Sequence, residues 1–154
     1  MTTMPMDRKR YPANWEVISR RVRFERAGNK CEWCGVENGA VGARDVDGKW
    51  WHEREIDQMK SDVGYALFAG EYPKIIRIVL TVAHLGTPHA NGTPGDKHDK
   101  MDVREENLAA LCQKCHLNYD REDHVQHRRD NLRQRKASEQ HQHDQERGQL
   151  RMFD

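Results

Sequence analysis

The sequence has few apolar residues and no long apolar run. Hydrophobic residues make up 36% of the 154 residues, aromatic residues 7%, and the mean hydropathy is −1.06. A membrane-spanning helix needs about 20 consecutive apolar residues, and a secretory signal peptide needs an apolar core near its start. Neither pattern occurs, so we expect an intracellular, cytoplasmic protein with no membrane partner. The small apolar fraction also predicts a thin core that needs additional stabilisation.

The sequence also lacks an excess of charge of either sign, since 26 Lys and Arg against 25 Asp and Glu leave a net charge of +1. The basic residues are nevertheless clustered: residues 1–30 hold eight Lys and Arg against three acids, and Arg128–Lys136 holds five against one. Such clusters suit a polyanionic partner, although an ordinary solvated surface explains them equally well. The arginines that we expect to contact phosphates are Arg20, Arg21, Arg23, Arg26, Arg128, Arg129 and Arg133.

Three segments have a clear secondary-structure pattern. Asn14 marks the start of a helix, and Gly28, which can adopt a left-handed conformation, marks its end. The segment Ile75–Leu85 is apolar, β-branched and unbroken, which predicts a single strand that brings His84 to its end. From about Lys114 onward the pattern is that of a polar helix with only a thin apolar stripe.

Composition divides the chain into three parts. We expect residues 1–10 to be a loose basic arm, residues 11–136 a single domain, and residues 137–154 a polar, flexible tail, because Ala137–Gly148 is of low complexity. Within the domain, Gly86–Asn107 predicts a long loop, and a loop of that length in a small domain is usually functional or disordered.

All four cysteines fall into two C-x-x-C pairs, Cys31 with Cys34 and Cys112 with Cys115. Two such turns supply four thiolates to one tetrahedral Zn²⁺, and intracellular thiols stay reduced rather than forming disulfides. A thioredoxin-like redox pair is the alternative, but it needs a βαβ context and does not explain two pairs. We therefore predict a structural zinc ion on these four cysteines and folding that depends on it.

His116 directly follows the last cysteine and is left over when four thiolates fill the zinc site. A histidine held beside a rigid zinc turn has a fixed direction, which is what a catalytic metal ligand needs. A histidine on a helix surface is the simpler interpretation of this residue taken alone. His84 and Asn107 stand upstream of it, however, in the order His84, Asn107, Cys112, Cys115, His116.

This order of residues, with "CEWCG" early and "ENLAALCQKCH" late, resembles the zinc-stabilised, phage-type form of the HNH endonuclease family. The resemblance spans roughly residues 11–120. It implies an α+β fold: a small ββα-metal (His-Me finger) domain held together by a zinc site of four cysteines. An N-terminal helix precedes that domain, and a long polar C-terminal helix follows it. Proteins of this kind are common in phages and mobile elements.

The resemblance further implies hydrolysis of phosphodiester bonds in nucleic acid, with double-stranded DNA as the expected partner, and one divalent cation (Mg²⁺, Mn²⁺, Ni²⁺ or Zn²⁺) as a second cofactor. His84 would be the general base that deprotonates water, and His116 would bind the catalytic cation. Asn107 would orient His84 or hold the strand–helix junction. We expect His84 and His116 to face each other across one groove.

One position departs from the pattern of the family, because Ala83 stands where an acidic or histidine metal ligand usually precedes the base. We take Asp102 and Asp120 as the replacement ligands, the latter because it lies four residues after His116 on the same helix face. Further donors lie in the long loop, namely His89, Asp96, His98 and Asp99. Two functions therefore remain open: an active HNH endonuclease, and a zinc-stabilised nucleic-acid-binding module that no longer cleaves.

Overall fold

We describe the protein from a computed structural model, which describes residues 6–59 and 66–150. The chain divides into two compact units, Met1–His116 and Leu117–Asp154. This boundary lies inside the segment 11–136 that the sequence predicts as one domain. Small antiparallel sheets and helices make up the first unit, which confirms the predicted α+β class.

The predicted N-terminal helix is present. A 3-10 turn, Arg8–Arg10, precedes it in the segment expected to be a loose arm, and residues 1–5 of that arm lie outside the described residues. Helix α1 covers Trp15–Arg20 and continues as a π-helical segment, Arg21–Arg26. Gly28 then has a φ of 60°, the left-handed conformation expected at the helix end.

A three-stranded antiparallel sheet contains β1 (Val41–Arg44), β2 (Trp50–His52) and β3 (Ile76–Arg77), in the order β2-β1-β3. Helix α2 (Glu53–Gln58) follows β2 and buries Ile56 against this sheet. Glycine is required at Gly42, because a Cβ atom there would lie 2.0 Å from the backbone oxygen of Trp51.

The prediction of a single strand over Ile75–Leu85 was wrong, because this segment forms two strands in different sheets. The first is β3, and the second is β4 (Thr81–His84), which pairs with β5 (Leu108–Leu111). Between them the Leu80 N–H donates to the Asn38 side chain at 3.1 Å instead of continuing a ladder. An apolar run shows that a segment is buried but not which strand pairs with it.

The two-stranded sheet β4–β5 is covered on both faces, which explains why every residue of β5 is buried. Trp15 and Val22 of the N-terminal helix pack against Leu108 and Ala110 on one face. On the other face Ala83 and Leu111 pack in a core that includes Cys31 and Cys112. Helix α3 (Gln113–Tyr119) follows β5, so the order strand–strand–helix ends at the second cysteine pair.

The second unit contains helix α4 (Arg121–Leu150). The helix continues through residues 137–148, where the sequence predicts a flexible tail, and residues 151–154 lie outside the described residues. Five of the twelve residues of 137–148 are Glu or Gln, which have high helix propensity, and this outweighs the low complexity of the segment.

Candidate metal centre and adjoining groove

The four cysteines come together as predicted. One sulfur atom from each of Cys31, Cys34, Cys112 and Cys115 lies within 4.8 Å of the others, and the Cys34 and Cys112 sulfurs are 3.6 Å apart. Ligand atoms at the zinc–sulfur bond length of about 2.3 Å in a tetrahedron are roughly 3.8 Å apart. The cluster therefore has the dimensions and the donor chemistry to hold a metal ion such as zinc.

Backbone hydrogen bonds fix the first cysteine pair against β5. The Cys31 N–H donates to the Val36 carbonyl and the Glu32 N–H to the Ala110 carbonyl, both at 2.9 Å. The Glu32 carboxylate in turn accepts the Ala110 N–H at 2.6 Å. Hydrogen bonds to β5 thus hold this turn in place. They bring Cys31 close to Cys112, although the two are 81 residues apart in the chain.

Arg44 of β1 provides positive charge to the cluster. Its guanidinium lies 3.5 Å from the Cys34 sulfur and 3.6 Å from the Cys112 sulfur. Burial raises the pKa of Cys34, but the backbone of Val36 and the Arg44 guanidinium lower it more strongly, to about 7. Burial raises the pKa of Cys112 and Cys115. The Cys112 and Cys115 thiols therefore resist ionisation, and a divalent cation bound to their sulfur atoms would favour the thiolate form.

His116 is not part of the cysteine group. Its backbone N–H donates to the Cys112 carbonyl at 2.9 Å, and its imidazole Nδ1 atom lies 2.7 Å from the Thr81 hydroxyl. The four-thiol site thus leaves this histidine over, as the sequence predicts. The hydroxyl of Thr81 fixes the direction of the imidazole from the neighbouring strand.

A groove of about 450 Å³ runs between the N-terminal helix and the start of β4, and we call it the α1–β4 groove. The residues on its walls that matter below are Tyr11, Trp15, Arg20, Arg23, Thr81 and His116. It combines cationic side chains from one helix, aromatic rings, and a histidine from another helix. Such a mixture suits a ligand with both an anionic and an apolar part.

His84 lies beside this groove but does not line it. The side chain is only 3% exposed; its ring stacks on Trp15 at a centroid distance of 5.2 Å and meets the edge of Tyr11 at 5.9 Å. Its Nε2 atom is buried and has no hydrogen-bond partner. Burial lowers the pKa of His84 to about 4, helped by the charge of Lys100, while a hydrogen bond with the Lys100 backbone acts in the opposite direction.

The expectation that His84 and His116 face each other is therefore wrong. His116 contacts Thr81, and Thr81 and His84 are three residues apart on one strand, where successive side chains alternate between faces. His84 accordingly lies on the face covered by Trp15, whereas α3 lies on the face with Ala83 and Cys112.

Asn107 closes the long loop. It is fully buried, its Nδ2 donates to the Asp102 carbonyl at 2.9 Å, and its Oδ1 accepts the Thr87 N–H at 2.8 Å. Its carbonyl also accepts the Leu85 N–H. These contacts hold the loop between β4 and β5, and the two expected roles, orienting His84 or holding the strand–helix junction, stay predictions.

Asp102, one of the two predicted carboxylate ligands, is paired with an arginine of its own loop. Both oxygens of Asp102 accept hydrogen bonds from Arg104 at 2.8 Å, and the Arg104 guanidinium lowers the pKa of that carboxyl. Asp120 lies in the second unit, so its role stays a prediction. Among the described residues, the cysteines are the one group of three or more His, Cys, Asp or Glu donors close enough for a metal ion. Ala83 is 2% exposed and packs in the core that includes Cys112.

The four arginines of the N-terminal helix divide into two kinds. Arg21 pairs with Glu105, and Arg26 forms two hydrogen bonds with Glu32 and others to the backbone carbonyls of Glu105 and Leu108. Their guanidinium groups are thus engaged within the protein, and phosphate contact by these two arginines stays a prediction. Arg20 and Arg23 line the groove. The predicted arginines of the second unit, Arg128, Arg129 and Arg133, are exposed on α4.

No motif in the sequence predicts three residues of the site, namely Tyr11, Arg44 and Thr81. Each acts through a contact between elements that are distant in sequence, with His84, with the cysteine sulfurs and with His116. Only the basic and aromatic character of residues 11–26 hints at the groove.

No protein-family model, no curated protein and no solved structure matches this chain. In the described residues, no helix is both long enough and apolar enough to cross a membrane.

Proposed function

We propose that this chain is an HNH-type endonuclease that hydrolyses phosphodiester bonds in nucleic acid, with a structural zinc ion on its four cysteines. The observation that carries the proposal is the buried, unpartnered Nε2 atom of His84. A buried polar atom without a partner costs about 1–3 kcal/mol. A catalytic role, in which the partner arrives with the substrate, is one explanation of such an atom and the one that supports this proposal.

The chemistry follows from the protonation state of His84. With its pKa lowered to about 4, the imidazole is neutral at pH 7 and has a lone pair to accept a proton. In the proposed step it takes the proton of a water molecule, the water oxygen attacks phosphorus, and the bond to the leaving oxygen breaks. Tyr11 and Trp15 cover the ring, so substrate binding has to displace part of this cover.

His116, Arg20 and Arg23 line the α1–β4 groove, and in this proposal they contact the phosphate. A divalent cation would supply stabilisation of the developing negative charge, and His116 is the residue that would bind it. The described residues offer no group of three donors around His116, so we route no step through that cation.

A specific observation favours a second function, a nucleic-acid-binding module that does not cleave. Ala83 faces the apolar core, and Asp102 is occupied by Arg104. A module of this kind would use the same groove for binding without hydrolysis.

Plasmid cleavage by the purified, zinc-loaded protein separates the two functions. We expect nicking with at least one of Mg²⁺, Mn²⁺, Ni²⁺ or Zn²⁺ added, and loss of nicking in His84→Ala with nucleic-acid binding retained. Val17→Ala, at a 69% exposed position of helix α1, is the control. Binding without cleavage under all four metals would establish the second function, and cleavage unchanged in His84→Ala would refute the first.

A further inference from the structure

We propose that the α1–β4 groove takes an unpaired nucleotide, so that the preferred ligand is a single-stranded segment of nucleic acid and not an intact duplex. The inference rests on the proposed function for the class of ligand, and it replaces double-stranded DNA as the expected partner.

The size of the groove is the first argument. Its volume of about 450 Å³ lies within the range of small-molecule sites, roughly 300–1,000 Å³. A single nucleotide has the size of such a ligand, whereas a duplex offers its bases only as edges inside its own grooves. A groove of this size between a helix and a strand therefore fits a base that has left the stack.

The apolar part of the groove is the second argument. Met6 and Leu80, which line it, cannot bind phosphate, and Tyr11 adds an aromatic ring. Phe24 follows the groove residue Arg23 in the chain and is 43% exposed, and the Arg23 guanidinium lies 5.1 Å from the centre of its ring. An exposed aromatic ring beside an arginine is the arrangement on which unpaired bases stack. A nucleic acid that contacts the protein only through its sugar–phosphate backbone would make no stacking contact with these rings.

The charges complete the match. Arg20 and Arg23 line the groove and have no ion pair with an acid among the described residues, whereas Arg21 and Arg26 are paired with Glu105 and Glu32. Glu16 also lines the groove, but Arg8 pairs with its carboxylate. The groove thus offers a ligand both positive charge and apolar surface, which fits the phosphate and the base of one nucleotide.

Fluorescence anisotropy with one labelled oligonucleotide, free and annealed to its complement, tests this inference in the full-length zinc-loaded protein without added divalent cation. We expect the single strand to bind about tenfold more tightly than the duplex, because only the single strand can stack a base on an aromatic ring of the protein. Phe24→Ala and Tyr11→Leu should each weaken single-strand binding about tenfold and leave duplex binding unchanged. Val17→Ala should change neither.

Equal or tighter binding of the duplex would overturn the inference, as would a Phe24→Ala variant that binds the single strand normally. Phe24 is exposed, so its replacement tests stacking even if Tyr11→Leu disturbs the packing around His84. The two proposals fail separately. Single-strand preference without any cleavage would refute the endonuclease and support this inference. Plasmid cleavage with no strand preference would support the endonuclease and refute this inference.

Discussion

At the scale of single residues, the imidazole of His84 lies under the rings of Tyr11 and Trp15, and its desolvation disfavours the charged form. Its pKa of about 4 lies below the ordinary value of 6.5, so the unfolded chain binds the proton first. The stability contributed by this difference is fully present above about pH 6.5 and is lost as the pH falls towards 4.

We therefore expect the ring resonances of His84 to titrate near pH 4 in an NMR titration. We also expect the unfolding free energy of the wild type to decrease more between pH 6.5 and 5 than that of His84→Gln. Zinc content measured at each pH separates this effect from loss of the metal. Titration near 6.5 would contradict the buried position of the ring.

Asn107 shows how far single residues can be interpreted from the sequence. Its position before the second cysteine pair marked it as important, and the order His84, Asn107, His116 placed all three on neighbouring elements. The order does not give orientation, because orientation depends on the strand faces. His116 meets Thr81 while His84 lies under Trp15, and that difference follows from pleating and packing.

At the scale of elements, the two cysteine turns connect β5, α3 and the end of the N-terminal helix. Cys115 belongs to the sulfur cluster, and His116, the next residue, does not. We expect Cys115→Ser to lower the zinc content and to cost several kcal/mol of unfolding free energy, since structural zinc contributes about 10–16 kcal/mol in small domains. His116→Ala should retain one zinc ion per chain.

Elemental analysis and chemical denaturation of both variants measure these expectations. Since the two substitutions lie at adjacent positions of one helix, a general disturbance of α3 would affect both alike. Loss of zinc in His116→Ala would mean that the histidine is a ligand of the structural site. Zinc retained in full by Cys115→Ser would remove the four-thiolate assignment.

The sequence predicted some elements correctly for clear physical reasons. The N-terminal helix has a stop glycine, and the cysteine pairs have a spacing that only a few structures satisfy. It did not predict the division of Ile75–Leu85, because β-branched residues suit either sheet. The arginines could not be sorted either, since Arg26 and Arg23 look alike until Glu32 and the β5 carbonyls are in place.

At the scale of the whole molecule, the net charge of +1 gives no general attraction to a polyanion, so binding has to rest on a few placed cations. We expect the logarithm of nucleic-acid affinity to fall with the logarithm of salt concentration by about 0.7–0.9 for each phosphate contacted. Arg20→Ala should reduce this slope by about one contact.

Arg26→Ala is the matched comparison, because Arg26 lies on the same helix and is paired with Glu32. It should lower the unfolding free energy and leave the salt slope unchanged. Titrations at several salt concentrations, with thermal unfolding of each variant, provide both measurements. A slope that Arg26→Ala changes as much as Arg20→Ala would contradict the division of the arginines into two kinds.

The cysteine cluster joins parts of the chain that are made at different times. Cys34 and Cys112 are 78 residues apart, and at a synthesis rate of roughly 5–20 residues per second the first pair waits about 4–16 s for the second. During that interval two thiols are present without their partners, open to oxidants and to the wrong metal. With zinc as the structural ion, we therefore expect the supply of zinc and the reducing capacity of the cell at the moment of synthesis to set the yield of folded protein.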